Sequence, residues 1–124
     1  LEDVARAGAL LSQLGDIVLA QATFDAVLAN DPQQLVALVG KGQLARQLSK
    51  AEHPEIVARS MQALDDAVLL ASPDEEPVIR LYRSDAWAAQ GDFDAALEDL
   101  QVVDRDALSP DLQALYDQLA AVLG

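Results

Sequence analysis

Acidic residues that are adjacent in the sequence are the first candidates for chemistry in this chain. Asp65-Asp66 and Asp74-Glu75-Glu76 place carboxyl groups side by side, and two carboxyl groups can divide the roles of acid and base between them. Neighbouring residues of a helix point in different directions, however, so these groups would not converge on one substrate. The chain also shows neither a Ser/His/Asp arrangement nor a glycine-rich phosphate loop. We therefore predict that this protein is not an enzyme.

His53 is the second candidate, as a metal ligand together with Glu52 and Glu55. The alternative, which we favour, is a turn or capping role before Pro54, because a residue that precedes proline avoids the helical conformation. A single histidine cannot form a multi-histidine metal site. Because the chain has no cysteine, thiolate zinc sites, disulfides and cysteine nucleophiles are excluded. We expect neither a metal ion nor a cofactor.

The charge balance excludes further classes of function. The 124 residues carry 21 acidic and 8 basic side chains, a net charge of −13, while 52% of them are hydrophobic. Such a chain is repelled by nucleic acids and by anionic membrane surfaces, and no apolar run approaches the ~18 residues of a membrane span. We predict one soluble, α-rich domain. The compartment, cytoplasmic or periplasmic, is left open, as is whether a chain that starts at Leu1 is a fragment of a larger protein.

The acidic residues are concentrated in the second half of the chain. Residues 1–62 carry 7 acids and 5 bases, whereas residues 63–124 carry 14 acids and 3 bases. One interpretation, which we favour, is a solvated surface that keeps the domain dispersed. The other is a docking surface that attracts a basic partner.

Glycine, proline and capping residues divide the chain into seven helix-length segments. Residues that favour helices dominate throughout, and no segment shows the alternation of a strand. Four pairs in which proline follows a capping or turn residue mark helix starts: Asp31-Pro32, His53-Pro54, Ser72-Pro73 and Ser109-Pro110. The predicted helices cover about 2–14, 17–30, 31–48, 53–71, 72–91, 93–106 and 109–124. Pro77 is equally able to lie in the first turn of the fifth helix. Short connections predict that consecutive helices are antiparallel.

An internal repeat is the strongest signal in the sequence. A group of residues recurs 76 positions later: Gly15, Ala20, Phe24 and Val27 return as Gly91, Ala96, Leu100 and Val103. An intermediate copy fits Ser60, Leu64 and Ala67. The helix that precedes each of these groups matches as well: Gly8 and Leu11 correspond to Gly42 and Ala45, and these to Ser84 and Trp87.

This pattern resembles the tetratricopeptide repeat (TPR), a 34-residue helix–turn–helix unit. The resemblance covers the whole chain in three repeats, at about 1–34, 35–76 and 77–110, with an insertion near 49–60 and a C-terminal capping helix at 111–124. It implies an all-α fold, a right-handed superhelical α-solenoid of antiparallel helix pairs whose stacking supplies the core. Arg80 and Ser84 depart from the family, which usually has Trp and Gly at those positions.

The resemblance also implies a function. First helices of TPR units line a concave groove that holds a peptide or helix of another protein, so we expect a non-catalytic interaction module, a scaffold or adaptor. The groove positions of the family fall here on Val39, Gln43, Arg46, Gln47, Leu81, Tyr82, Asp85 and Tyr116. The alternative for the apolar residues among these is packing between adjacent first helices.

One TPR subtype is not expected. Some TPR cochaperones hold a C-terminal carboxylate with lysines, asparagines and an arginine at fixed positions. This chain has other residues there, namely Ala5, Ala9, Gly40, Val78 and Tyr82.

The last predicted helix raises a second hypothesis, self-association. It carries an apolar stripe made of Leu112, Leu115, Leu119 and Val122. Part of the stripe must cover the third repeat, yet terminal helices of solenoids usually have a polar outer face. The remainder would form a homo-oligomer interface or contact the next helix of a longer array. The inserted segment from Lys50 to Pro54 is left open between a partner contact and a structural loop.

Overall fold

The computed structural model describes residues 17–31, 33–48 and 50–124. Within these ranges the chain forms helices and turns without a strand, which confirms the predicted all-α class there. The six α-helices are α1 (Ile17–Asn30), α2 (Leu35–Gln43), α3 (Pro54–Leu70), α4 (Glu76–Ala89), α5 (Phe93–Gln101) and α6 (Pro110–Leu123). A 3-10 turn, Leu44–Arg46, continues α2, and another, Arg105–Ala107, precedes α6. The helix predicted over 2–14 lies outside the described residues.

Proline lies in the first turn of three helices. Pro54, Pro77 and Pro110 occupy these positions in α3, α4 and α6, where the N–H that proline lacks would have no helical partner. Of the two starts predicted for the fifth segment, the structure has the later one: α4 begins at Glu76 with Pro77 in its first turn, and Ser72 forms a capping-box pair with Glu75 in the turn before it. The Glu75 N–H donates to Ser72 Oγ (3.3 Å), and the Ser72 N–H donates to Glu75 Oε1 (2.9 Å).

Two predicted boundaries are wrong because a polar side chain competes for the backbone. Helix α2 begins at Leu35 rather than at Asp31, since the Ala37 N–H donates to the side chain of Gln34 (2.7 Å). Helix α5 was predicted to reach residue 106 but ends at Gln101. Asp104 accepts a hydrogen bond from the Asp106 N–H (3.0 Å) and so begins a separate 3-10 turn.

The helices pack in chain order. Each described helix contacts the one that follows it, from α1 to α6, and α4 in addition contacts both α2 and α6. Two glycines of α2 allow its neighbours to approach closely. A Cβ on Gly40 would collide with the ring of Phe24 on α1, and one on Gly42 would overlap Leu64 on α3. Helix α2 is thus held between α1 and α3 and lies beside α4.

Candidate functional site

A groove of about 420 Å³ lies between α2 and α4. Each helix contributes residues three or four positions apart, which share one face. The lining residues are Leu35, Val36, Val39, Gly40, Gln43, Asp74, Glu75, Val78, Ile79 and Tyr82. Aliphatic side chains and one aromatic ring form most of this surface. The groove is therefore an apolar recess within the size range of ligand pockets, roughly 300–1,000 Å³.

The floor of the groove is part of the packed core. Ile79 is buried in a cluster with Leu38, Ala63 and Ala67, which come from α2 and α3. Val36, in contrast, is 37% exposed on the wall. Because the lining residues belong to helices fixed by a shared core, the recess is formed before any partner binds.

Two carboxylates stand at the end of the groove where α4 begins. Asp74 and Glu75 both line the groove, and both are exposed. Hydrogen bonds from the backbone N–H and the hydroxyl of Ser72 lower the pKa of Glu75, so this group is ionised at neutral pH. The N-terminus of α4 offsets only about half a unit charge. This end of the groove is therefore negative.

An ion pair closes the other end. Past Gln43 and Tyr82, Arg46 Nε lies 2.5 Å from Asp85 Oδ2. This oxygen is buried, and within the described part of the chain no donor meets it with hydrogen-bond geometry. Burial raises the pKa of Asp85, and the charge of Arg46 partly opposes that rise. The pair joins the turn after α2 to α4.

A second recess, of about 610 Å³, lies beyond this ion pair. It is lined by Leu48, Lys50, Ala51, Ala89 and Gln90. The inserted segment thus reaches the C-terminal end of α4. The recess is less apolar than the groove, and its lining includes a cationic side chain.

The structure brings together three of the predicted binding residues, Val39, Gln43 and Tyr82, in the groove. Arg46 and Asp85 pair with each other at its end. Gln47 is exposed just after Arg46. The remaining two predicted residues, Leu81 and Tyr116, do not line the groove and lie at the core that joins α4, α5 and α6.

Leu81 is a correction to the predicted site. It has no exposed surface and packs with Leu100, Val103, Leu108 and Leu119 in a core that joins α4, α5 and α6. One position along a helix turns the side chain by about 100°, so Leu81 points inward where Tyr82 points into the groove. Tyr116 is half-buried against this same core and does not line the groove.

Several groove residues were missed by the prediction. Asp74 and Glu75 precede α4, whereas the repeat pattern assigns groove positions to the first helices themselves. Ile79 and Leu35 were missed because they are not groove positions of the repeat pattern, although Ile79 lies three residues before Tyr82 and Leu35 four residues before Val39, which places each pair on one helix face.

The apolar stripe on α6 is used mainly inside the molecule. Leu119 is 5% exposed and belongs to the core around Leu81, so its assignment to an oligomer face is wrong. Leu112 and Leu115 are half-buried against that core. Val122 is the residue of the stripe that is exposed.

A second set of charges joins three helices on the far side of α4. Asp99 of α5 accepts hydrogen bonds from Arg83 Nη2 (2.6 Å), Arg83 Nε (2.7 Å) and Arg80 Nη1 (3.2 Å). Arg83 Nη1 also donates to Asp65 of α3 (3.0 Å). These hydrogen bonds, chiefly those to Asp99, raise the pKa of Arg83. The charges are satisfied by one another, so we assign this network a structural role.

Within residues 17–31, 33–48 and 50–124, no three His, Asp or Glu side chains are placed to hold a metal ion. None of the described helices is both long and apolar enough to cross a membrane. Comparison with known proteins gives no match, whether with protein-family models, curated proteins or solved structures.

Proposed function

We propose that this chain is a TPR-like right-handed α-solenoid that binds a peptide or helix of a partner protein in the groove between α2 and α4, and that it catalyses no reaction. One observation carries the proposal. An apolar recess lies between α2 and α4, and Val39, Gln43 and Tyr82 line it; the resemblance to TPR units assigns these three residues to partner binding.

The order of helix contacts supports the solenoid part of the proposal. In a solenoid of helix pairs, each unit contacts only its neighbours. Here α2, α4 and α6 would be the first helices of successive units, and α4 contacts the other two. Residues 76 positions apart are also buried to a similar degree. Phe24 and Leu100 are buried, as are Ala20 and Ala96.

A substitution in the groove tests the binding function. Peptides that bind the wild-type chain are first selected from a random dodecapeptide display library. Fluorescence anisotropy then measures their affinity for wild type, for Val36→Asp and for a matched control, Val102→Asp. Val102 is 63% exposed on the cap of α5 and lies outside the groove. A carboxylate at position 36 would face apolar ligand groups. We expect it to weaken binding at least tenfold, whereas the control binds as wild type does.

Circular dichroism of both variants controls for folding. If the selected peptides bind Val36→Asp as tightly as wild type, the groove is not the binding site and the proposal fails. If the library yields no binder, the proposal fails as well.

Self-association through α6 is the weaker alternative. Of the four stripe residues, Leu119 is buried and two are half-buried against the core around Leu81, which leaves Val122 as the exposed member. Light scattering across protein concentration and salt tests it. A dimer that persists at high salt and is lost in Val122→Asp would support this alternative.

A further inference from the structure

We infer that the groove between α2 and α4 selects a segment whose apolar side chains are followed at one end by a lysine or arginine, with this cationic end beside Asp74 and Glu75. The inference rests on the proposed function and adds the chemistry and the direction of the bound segment. It follows from the distribution of charge along the groove.

Among residues 17–31, 33–48 and 50–124, no basic side chain neutralises the negative end of the groove. Arg80 is the nearest cation along α4, and it is engaged by Glu76 (2.7 Å) and Asp99 (3.2 Å). Lys41, on α2, pairs with Asp25 on α1 (2.6 Å). Two exposed carboxylates against the half charge of a helix N-terminus leave roughly −1.5 at this end. An ammonium or guanidinium group of a ligand supplies the missing charge.

The opposite end of the groove has the reverse preference. Arg46 is 48% exposed there, so its guanidinium faces solvent while its Nε contacts Asp85. A ligand cation at this end would meet a like charge, whereas a backbone carbonyl would meet the donors of Gln43 and Arg46. The two ends therefore distinguish the two directions in which a segment can lie.

Other occupants fit the groove less well. An acidic or phosphorylated segment would be repelled by the carboxylates at its end and by the net charge of −13. A second copy of the chain carries the same net charge. A purely apolar segment would leave Asp74 and Glu75 without partners, which costs little at an exposed rim but gives no preference for direction.

Paired neutral substitutions test the inference. The dodecapeptide library is selected against wild type, against Asp74→Asn/Glu75→Gln, and against the control Asp94→Asn/Glu98→Gln. Both variants remove two negative charges. The control pair lies exposed on α5 and does not line the groove, and glutamine at position 75 preserves the capping box. We expect Lys and Arg to be enriched beside apolar residues with wild type and control, and not with the first variant.

Affinity and placement are then measured with the most enriched peptide. At low salt we expect Asp74→Asn/Glu75→Gln to weaken it about five- to tenfold, with a difference that shrinks at high salt. A carbodiimide, which joins an amine to a carboxylate at contact distance, should link the peptide lysine to Asp74 or Glu75, as identified by mass spectrometry.

The outcomes separate this inference from the proposed function. Apolar peptides without Lys or Arg enrichment, or an enrichment that survives in Asp74→Asn/Glu75→Gln, overturn the inference. If their binding is still lost in Val36→Asp, the proposed function stands. Enrichment that disappears equally in the control variant would reflect net charge alone and would also overturn the inference. Peptides that bind Val36→Asp normally overturn both.

Discussion

The surface of α4 that faces α5 differs from the surface that faces α2. Toward α5 the helix buries charge, since the side chain of Asp99 is 4% exposed beneath Arg80 and Arg83. Toward α2 it leaves Val78 and Tyr82 half-exposed in the groove. A helix in a globular protein usually does the reverse. The charges can be buried because each is paired, whereas apolar groups left open on a rigid surface are typical of a binding site.

The largest expected effect comes from breaking the buried network. Asp99→Ala leaves Arg80 and Arg83 partly buried without their shared carboxylate, and removal of one partner of a buried ion pair costs about 3–5 kcal/mol. Urea unfolding followed by circular dichroism measures this loss. Glu98→Ala, exposed on the same helix, is the control and should change stability by less than about 0.5 kcal/mol. A loss below about 1 kcal/mol for Asp99→Ala would contradict the structural role of the network.

The second-largest effect contrasts two adjacent residues of α4, Leu81 in the core and Tyr82 in the groove. Leu81 is fully buried, so Leu81→Ala should lower the free energy of unfolding by about 2–5 kcal/mol. Tyr82→Ala should cost only about 1 kcal/mol, yet it should weaken binding of the selected peptides at least tenfold. Unfolding curves and fluorescence anisotropy provide the two measurements. A Tyr82→Ala variant that unfolds as readily as Leu81→Ala would place Tyr82 in the core instead.

A smaller effect is expected at two buried serines, which differ in their hydrogen bonding. Ser84 Oγ donates to the Ala96 carbonyl across the α4–α5 contact (2.7 Å), so Ser84→Ala should cost about 0.5–1.5 kcal/mol. Ser60 Oγ is buried on α3 and has no hydrogen-bond partner among the residues that the structure describes. Ser60→Ala should therefore be neutral or stabilising. Thermal unfolding of the two variants decides, and equal losses would contradict the difference in hydrogen bonding.

The smallest expected effect concerns Asp85, at the end of the groove. Burial raises its pKa above the ordinary value of 3.8, so the folded chain binds this proton more tightly than the unfolded chain does. The contribution of Asp85 to the stability of the fold therefore falls as the pH rises from 3.8 through the higher pKa of the folded chain. At pH 7 the full cost of burying the ionised carboxylate is present. Asp85→Asn should then be neutral or stabilising at pH 7, by less than about 1 kcal/mol.

The pH dependence of the difference tests that sign. Urea unfolding compares Asp85→Asn with wild type at pH 7 and below pH 3.8, where the gain should disappear because Asp85 is protonated in both states. A variant that is clearly less stable than wild type at pH 7 would show that attraction to Arg46 outweighs burial.

Local chemistry explains which parts of the fold were predictable. Gly91 adopts a φ of +82° after α4, and Pro54, Pro77 and Pro110 start helices, because these residues restrict or permit particular backbone angles whatever surrounds them. The boundaries that failed, at Asp31 and near Asp106, depended on side-chain hydrogen bonds. Several polar residues in each turn compete for those bonds, and their spacing alone does not decide among them.

The candidate site was predictable to a lesser degree. Val39, Gln43 and Tyr82 were predicted from the groove positions of the repeat pattern and line the groove, whereas Leu81, at the position of the third predicted repeat that corresponds to Val39, is buried. Leu81 and Leu119 were assigned wrongly, since the sequence pattern of an apolar residue is the same whether its side chain points into the core or outward. Asp74 and Glu75 precede the helix, and only the path of the chain into α4 brings them to the groove.

The sequence by itself determined that this chain is helical, acidic and repetitive, because propensity, net charge and spacing are properties of residues along the chain. The tertiary structure alone decided which side chains share a surface. Whether Arg46 meets Asp85, whether Arg83 meets Asp99, and whether Val78 is covered or open depend on how far apart helices lie and how each is rotated. Contacts between residues distant in the chain, such as Gly42 with Leu64, set those distances and rotations.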